Sequence, residues 1–179
     1  MKFVGDFPST YAIEVDAGWP DRGEDEISFL AFDKLGMHTG EFSIVRFRLD
    51  TGTSWIGRFE IGQKTGEFEN CIFSTPNPTQ ACLISFGAGY WVDVEQKTAM
   101  PMECLPITQA VVAPKQSLII VVTWRDLYAY SSAKPSWSLT GLVSDRLKVR
   151  EINQDIIKAE GFTGEMIEIS VDLLTGRLI

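Results

Sequence analysis

The sequence has few of the residues on which most catalytic and metal sites depend. It contains a single histidine, His38, and three widely spaced cysteines, Cys71, Cys82 and Cys104. A zinc site or a disulfide framework needs clustered or paired cysteines, and a histidine site usually needs a second ligand. We therefore predict no metal and no cofactor. We expect the three thiols to be buried in a reducing compartment.

Motifs for covalent or nucleotide chemistry are also absent. The sequence contains no Gly-x-Ser-x-Gly elbow and no P-loop. Gly87-Ala88-Gly89 lacks the third glycine of a dinucleotide fingerprint, and a strand-like pattern follows it instead of a helical one. His38 lies in a Gly-Met-His-Thr-Gly segment, which predicts an exposed turn. These absences favour a protein that is not an enzyme.

Long apolar runs and an excess of positive charge are missing too. No run of about 18 uncharged apolar residues occurs, so the sequence predicts no membrane-spanning helix. Asp6 and Pro8 interrupt the first ten residues before an apolar signal core can form, so we expect a cytoplasmic protein. The net charge of -8 argues against nucleic acid and anionic membranes as partners, and it permits a basic protein partner.

The sequence does contain repeated strand-turn-strand patterns. The clearest is CLISFGAGYWVDV at 82–94, two apolar strands around a predicted turn at Gly87-Ala88-Gly89. LIIVVTWRDLYAY repeats the layout 36 residues later at 118–130, and LKVREINQDIIKA repeats it more weakly at 147–159. Residues 42–49 and 55–61 predict a further hairpin, in which a slip of the alternation at Val45 predicts a β-bulge.

These units define the expected fold. About a dozen short strands separated by Gly, Pro and Asn/Asp turns are typical of an all-β sandwich, barrel or propeller. We predict a single all-β domain over 1–179, with two packed, twisted antiparallel sheets in a sandwich-like arrangement built from repeated hairpins. A small propeller-like array of blades is the alternative, because the hairpins recur at a nearly regular spacing.

The chain resembles a group of uncharacterised, mostly bacterial all-β proteins from about residue 71 to the end. The motifs that carry the resemblance are STPNP at 74–78, GAGYWVDV at 87–94, Trp137 followed by Ser144-Asp145, and VDLLTGR at 171–177. Where that group tends to have Asp-Gly before an apolar residue, this chain has Asp145-Arg146-Leu147. The resemblance implies an all-β fold and a different turn at Arg146, and it assigns no catalytic residue.

Candidate binding residues lie in an acidic segment near the N-terminus and at one hairpin tip. Residues 1–30 hold seven acidic residues against Lys2 and Arg22. A solvated loop, a calcium site and a recognition surface for a basic partner are the alternatives for this segment, and the EF-hand order of ligands is absent. Exposed tryptophans are common binding anchors. The candidate binding residues are Asp16, Trp19, Asp21, Glu24, Asp25, Glu26 and Trp124.

Together these features predict a non-enzymatic cytoplasmic binding protein whose ligand the sequence leaves open. One version is an acidic immunity-type protein that neutralises a basic partner. A carbohydrate-binding or small-ligand-binding β-domain that uses exposed tryptophans is an alternative. An enzyme whose carboxylates assemble from distant strands is another, and it requires a carboxyl group with a raised pKa.

Overall fold

The computed structural model describes residues 1–31, 38–63 and 67–179. This part of the chain contains sixteen strands, one 3₁₀ turn at Pro114–Gln116 and no α-helix. The strands are β1 (Lys2–Val4), β2 (Tyr11–Val15), β3 (Asp25–Phe29), β4 (Phe42–Leu49), β5 (Ser54–Glu60), β6 (Cys71–Ser74), β7 (Gln80–Ser85), β8 (Ala88–Asp93), β9 (Thr98–Pro101), β10 (Gln109–Ala113), β11 (Leu118–Val122), β12 (Leu127–Tyr130), β13 (Pro135–Leu139), β14 (Asp145–Asn153), β15 (Ile156–Phe162) and β16 (Met166–Asp172). None of its helical turns is long and apolar enough to cross a membrane.

The strands form four sheets that follow one another along the chain. Sheet 1 has the order β2-β4-β5-β3, sheet 2 the order β1-β6-β7-β8-β9, sheet 3 the order β10-β11-β12-β13 and sheet 4 the order β14-β15-β16. Neighbouring strands pair antiparallel except at two places, where β1 lies parallel to β6 and β3 lies parallel to β5. Strand β1 is the exception to the chain order, because it precedes sheet 1 in sequence but belongs to sheet 2.

Three buried clusters pack the sheets face to face in the order 1, 2, 3, 4. Phe47, Trp55 and Phe59 of sheet 1 pack against residues of sheet 2 that include Leu83 and Tyr90. The other face of sheet 2 packs against sheet 3, and the other face of sheet 3 packs against sheet 4. The predicted all-β, sandwich-like fold is confirmed, and the described residues form four sheets where the sequence predicted two. Each adjacent pair of sheets is a sandwich.

The position of a sheet in this stack explains the pattern of its sequence. Strands β7, β8 and β11 belong to the two inner sheets, and their residues are buried almost without interruption. A strand that is covered on both faces reads as a continuous apolar run. Strands β14 and β15 alternate between exposed and buried residues, because only one face of sheet 4 is covered. The stack therefore ends at sheet 4 with a polar outer face.

The hairpin of β7 and β8 has a tighter turn than the sequence predicted. Ser85 pairs with Ala88, so the turn consists of Phe86 and Gly87, whose φ angles are 47° and 86°. Two central residues with positive φ match the twist of the flanking strands, as in a type I′ turn. Gly89 lies within β8, where an added Cβ would approach Ile107 Cδ1 to 2.6 Å. Gly87 is needed for the positive φ of the turn, and Gly89 is needed because a side chain there would clash with Ile107.

The bulge predicted at Val45 is not present. Strands β4 and β5 pair in continuous register from Phe42 to Arg48. Val45 and Phe47 face the core between sheets 1 and 2, while Ile44 lies on the opposite face together with Arg46. The alternation of apolar residues slips in the sequence because both faces of β4 carry one: Ile44 lines the outer depression, and the adjacent Val45 faces the core.

Candidate functional site

Arg46 organises the acidic N-terminal segment. Its guanidinium is buried on the outer face of sheet 1, where Nε lies 3.0 Å from Glu24 Oε1 and Nη1 lies 3.0 Å from Glu14 Oε2. Its Nη2 donates to the backbone carbonyl of Trp19 at 3.0 Å. A planar guanidinium can satisfy several acceptors at once in a fixed geometry. Arg46 therefore fixes the loop that carries Trp19 against the sheet.

Glu24 is the buried partner of this arginine. Burial raises the pKa of its carboxyl, but hydrogen bonds from the Asp21 amide, Ser54 and Arg46 outweigh that effect and leave the pKa below its usual value. The pKa of Arg46 is raised by its hydrogen bonds to Glu24 and Glu14. Both groups are therefore charged at neutral pH, and Glu24 has a structural partner within the chain.

Two more of the candidate acids are paired with cations of neighbouring elements. Asp25 Oδ2 lies 2.6 Å from Lys97 Nζ, and Glu26 Oε1 lies 3.3 Å from Arg58 Nη1. These pairs are partly exposed, and exposed pairs contribute little to stability. They do, however, neutralise two of the negative charges that the sequence places in this acidic segment.

The remaining candidates of this segment face solvent. Asp16 and Asp21 are exposed, and no ion pair among the described residues involves their carboxylates. The side chain of Trp19 is also exposed, at 92% of its accessible area. It borders a shallow depression of about 260 Å³, whose floor includes Ile44 and Ile56 of the outer face of sheet 1. The structure thus places an indole and two free carboxylates on one short loop.

Trp124 lies elsewhere, at the tip between β11 and β12. It is 48% exposed, and its ring centroid is 6.0 Å from that of Phe68. It lines a half-open cleft of about 820 Å³ that also includes Arg146 and Lys148 of β14. Trp19 lines a different depression, so the two tryptophans do not share one binding surface. Trp55 and Trp91 are buried in the core.

His38 takes part in a hydrogen-bonded cluster around Glu60. Its Nδ1 lies 2.8 Å from Glu60 Oε2, and the amides of Ala31 and Gly40 donate to the same carboxylate. Burial raises the pKa of Glu60, but these hydrogen bonds lower it further than burial raises it. His38 is exposed, as predicted, while residues 36 and 37 of the predicted turn lie outside the described residues.

The titratable groups of the described residues give little support to catalysis by paired carboxylates. The pKa values of the carboxyl groups of Glu14, Glu24, Glu60, Glu160 and Asp172 are all lowered. A general acid in glycoside hydrolysis needs a carboxyl group with a raised pKa. These five groups are held as anions, which suits hydrogen bonding and ion pairing.

The cysteines are buried and unpaired. Cys71, Cys82 and Cys104 form no disulfide, and burial raises the pKa of the Cys104 thiol to about 11. Thiols with raised pKa values are poor nucleophiles at neutral pH. Over residues 1–31, 38–63 and 67–179, no group of three or more His, Cys, Asp or Glu side chains is placed to hold a metal ion.

Sequence reasoning did not identify Arg46, Phe68 or Arg146 as part of either surface. Arg46 is 22 residues from Glu24 and 32 from Glu14 in the chain, so no local pattern reveals the cluster. The only sequence signal was the interruption of the apolar alternation at Val45 and Arg46. For Arg146, the sequence signal was the Asp145-Arg146-Leu147 segment, where an unusual turn was expected.

Comparisons with known proteins add little to this geometry. No protein-family model matches the chain, and no curated protein matches it. A crystal structure of the extracellular domain of a protein described as a one component system, BT4673 from B. thetaiotaomicron, is similar with a TM-score of 0.47 and 8% identity. The similarity covers 87% of this chain and 25% of that chain, so this chain spans about a quarter of that structure's length. So weak a similarity assigns no function.

Proposed function

We propose that this chain is a non-enzymatic binding protein that contacts a protein partner through the loop carrying Trp19. The observation that carries the proposal is the indole of Trp19, which is 92% exposed while its own backbone carbonyl is bound by Arg46. An exposed tryptophan costs solvation free energy that the folded chain alone does not recover. Tryptophan is also among the residues most enriched at the energetic centres of protein interfaces.

The loop is held in one conformation before any partner arrives. The Asp16 amide donates to the Ile44 carbonyl at 3.0 Å, and the Asp21 amide donates to Glu24 Oε2 at 2.9 Å. Together with the Arg46 hydrogen bond, these contacts fix both sides of Trp19. Ordering a flexible side chain at an interface costs about 0.5–1.5 kcal/mol, and a loop that is already ordered avoids much of its own share.

The charge next to the indole favours a basic partner. Asp16 and Asp21 are exposed and unpaired among the described residues, whereas Glu24, Asp25 and Glu26 have internal cationic partners. Opposite charge across an interface speeds encounter and disfavours wrong partners. The proposal therefore keeps the version in which an acidic immunity-type protein neutralises a basic partner. It also keeps a cytoplasmic location, which the three unpaired, buried cysteines support.

A capture experiment with the full chain tests this proposal. The immobilised wild-type chain and two variants, Trp19→Ala and Asp16→Lys/Asp21→Lys, are incubated with an extract of the source cells, and bound proteins are quantified by mass spectrometry. We expect a basic protein that is retained by the wild type and reduced by about tenfold or more in Trp19→Ala, as for an interface hot spot. Substitution of Glu24 is avoided, because it would remove the buried partner of the buried Arg46.

Two matched controls distinguish the loop from the rest of the surface. Trp124→Ala removes the half-exposed tryptophan outside the loop, and Glu168→Lys reverses a charge on the exposed outer face of sheet 4. Both controls should retain the partner at the wild-type level. Equal recovery of the partner by the wild type, Trp19→Ala and Asp16→Lys/Asp21→Lys would overturn the proposal.

A further inference from the structure

The cleft at Trp124 has features of a second site, separate from the Trp19 loop. Its volume of about 820 Å³ falls within the ordinary range for small-molecule sites. Trp124, Phe68 and Met166 supply apolar surface, while Arg146 and Lys148 supply positive charge on the adjacent strand β14. Aromatic surface beside cations suits a ligand that has both a ring and a negative charge.

Arg146 has an unusual backbone conformation. Its φ angle is 59°, and the pairing of β14 with β15 is irregular between Asp145 and Lys148. A residue other than glycine rarely adopts this left-handed conformation, and such irregularities in a strand redirect side chains. Strained residues of this kind concentrate at ligand sites, because the surrounding structure must hold them there.

The guanidinium of Arg146 is also uncommitted. It forms no ion pair in the part of the chain that the structure describes, although the protein has 24 acidic residues and 16 basic ones. The nearby Glu160 instead pairs with Arg150, which lowers the pKa of the Glu160 carboxyl. Glu67, an exposed residue, is the other carboxylate that lines the cleft. The Arg146 guanidinium thus has no ion-pair partner among the described residues, although the protein is acidic.

The aromatic wall of the cleft is fixed by backbone contacts. The Trp124 carbonyl accepts a hydrogen bond from the Leu147 amide at 2.9 Å, which joins the hairpin tip directly to the residue after Arg146. The Asp126 amide and carboxylate both bond to the Thr123 hydroxyl, and this closes the turn around Trp124. The backbone of the hairpin tip that carries Trp124 is therefore joined to the backbone next to Arg146.

The floor of the cleft is equally well ordered. The side-chain amide of Gln109 donates to the Val149 carbonyl at 3.1 Å and accepts from the Val149 amide at 2.9 Å. These two bonds satisfy the backbone of β14 beside its second irregularity, between Val149 and Glu151. The Gln109 side chain is occupied by these bonds, so the cationic lining residues that an anion could contact are Arg146 and Lys148, of which Lys148 also lies opposite Glu160.

We propose that this cleft binds a small organic anion in which a carboxylate is attached to a ring with an apolar face. The ring lies against Trp124, and the carboxylate receives paired hydrogen bonds from Arg146, a geometry that a guanidinium forms especially well. Carboxylated sugars and aromatic carboxylates share this chemistry. The site is independent of the proposed protein-binding loop, since Trp19 lies outside the cleft.

Titration with four probes tests the ligand class. Glucuronate and benzoate carry the carboxylate on a sugar and on an aromatic ring, and glucose and benzyl alcohol are their neutral counterparts. Binding to the full chain is followed by calorimetry and by tryptophan fluorescence. We expect at least one acid to bind about tenfold more tightly than its neutral counterpart, with a fluorescence change that Trp124→Ala abolishes.

The two acids also distinguish between the two classes of ligand, acidic sugars and aromatic acids. Binding of glucuronate alone assigns the cleft to acidic sugars, binding of benzoate alone assigns it to aromatic acids, and binding of both supports the shared chemistry. If neither acid binds more tightly than its neutral counterpart, the proposal is wrong. Capture of a protein partner by the Trp19 loop would be unaffected, so the two proposals fail separately.

Arg146→Gly is the most informative variant. Glycine readily adopts the left-handed conformation at this position, so the variant should keep the wild-type thermal midpoint while it removes the guanidinium. We expect its affinity for the acid to fall by about tenfold or more, with no change for the neutral probe. Arg22→Gly is the charge-matched control, because Arg22 is exposed and lies outside the cleft. Unchanged affinity of Arg146→Gly for the acid would refute the assignment.

Discussion

Glu60 shows at the residue scale how a buried charge can support the fold. It ends β5, has almost no solvent exposure and accepts hydrogen bonds from the Ala31 and Gly40 amides. Its backbone carbonyl accepts a further bond from the buried Tyr90 hydroxyl of sheet 2. A buried carboxylate without such donors would be strongly destabilising. Glu60 therefore connects the segments that flank residues 32–37 to the interface between sheets 1 and 2.

The lowered pKa of Glu60 predicts a pH-dependent contribution to stability. The contribution is complete above the ordinary carboxyl pKa of 4.5 and is lost as the pH falls through the lowered pKa of the folded state. We expect Glu60→Gln to unfold at a lower temperature than the wild type at pH 7. The difference between the two midpoints should narrow below pH 4.5. Thermal unfolding at a series of pH values measures this.

The control for this prediction is Glu95→Gln, which neutralises an exposed carboxylate in the turn after β8. It should follow the wild-type curve at every pH. A midpoint difference between Glu60→Gln and the wild type that stays constant from pH 7 to pH 3 would contradict the linkage.

The candidate residues also show what a sequence can reveal about a site. Exposure of Trp19 could be predicted, because glycine, proline and aspartate surround it. The ion pairs of Glu24, Asp25 and Glu26 could not be predicted, because their partners lie 22, 72 and 32 residues away. Only the folded chain separates the acids that have cationic partners from Asp16 and Asp21, which have none among the described residues.

At the scale of elements, the tip of the β7–β8 hairpin is enclosed by neighbouring backbone. The Gly62 amide donates to the Ser85 carbonyl at 3.0 Å, and the Gln63 amide donates to the Phe86 carbonyl at 2.9 Å. A Cβ atom at Gly62 would lie 2.3 Å from the Phe86 carbonyl oxygen and 3.0 Å from the Ala88 nitrogen. Both are backbone atoms and cannot rotate away, so position 62 requires glycine.

We therefore expect Gly62→Ala to destabilise the protein by about 1–3 kcal/mol or more, the range for overpacking. Chemical denaturation measures the loss. Gly18→Ala is the matched control, since an added Cβ there meets nothing within 4 Å and its φ angle is not positive. A wild-type free energy of unfolding for Gly62→Ala would mean that the hairpin tip is not held against this segment in solution.

The strands themselves were largely predictable, because period-two alternation and apolar runs mark them directly. The hairpins at 82–94, 118–130 and 147–159 all occur, as β7–β8, β11–β12 and β14–β15. The turn was predicted at Gly87-Ala88-Gly89 but lies one residue earlier, at Phe86-Gly87. Ala88 and Gly89 belong to strand β8 instead. A glycine pattern does not distinguish a turn from a close packing contact.

At the scale of the whole molecule, the position of each sheet in the stack predicts its local stability. Sheets 2 and 3 are covered on both faces, whereas sheets 1 and 4 each carry a charged outer face. Amides exchange slowly where opening requires the loss of buried contacts. We expect the slowest hydrogen exchange in β7, β8 and β11, and faster exchange in β14 and β16.

Native-state hydrogen exchange followed by NMR or mass spectrometry measures this gradient. The β15 amides provide an internal reference, because β15 is the central strand of sheet 4 and pairs on both sides. Protection in β14 and β16 equal to that in β7 and β11 would show that the stack opens only as one unit.

The number of sheets was the feature of the fold that was hardest to predict from the sequence. Alternation shows that a strand has a buried face, but it does not show which strand covers that face. The outer faces of sheets 1 and 4 both carry ion pairs. Arg46 and Arg48 pair with Glu14 on one, and Arg150 pairs with Glu160 on the other.

Strand β1 has a topological consequence for this stack. It pairs with β6 across the 66 residues that separate Val4 from Cys71, and the whole of sheet 1 lies within that span. Only three residue pairs join β1 to β6, and two of the three β1 residues are exposed, so detachment of β1 breaks few contacts. The edge of β6 would then be open to the same three residues of a second molecule. This edge is the place where two copies of the chain could exchange strands, and chromatography of concentrated samples of the chain with and without residues 1–4 would detect the exchange.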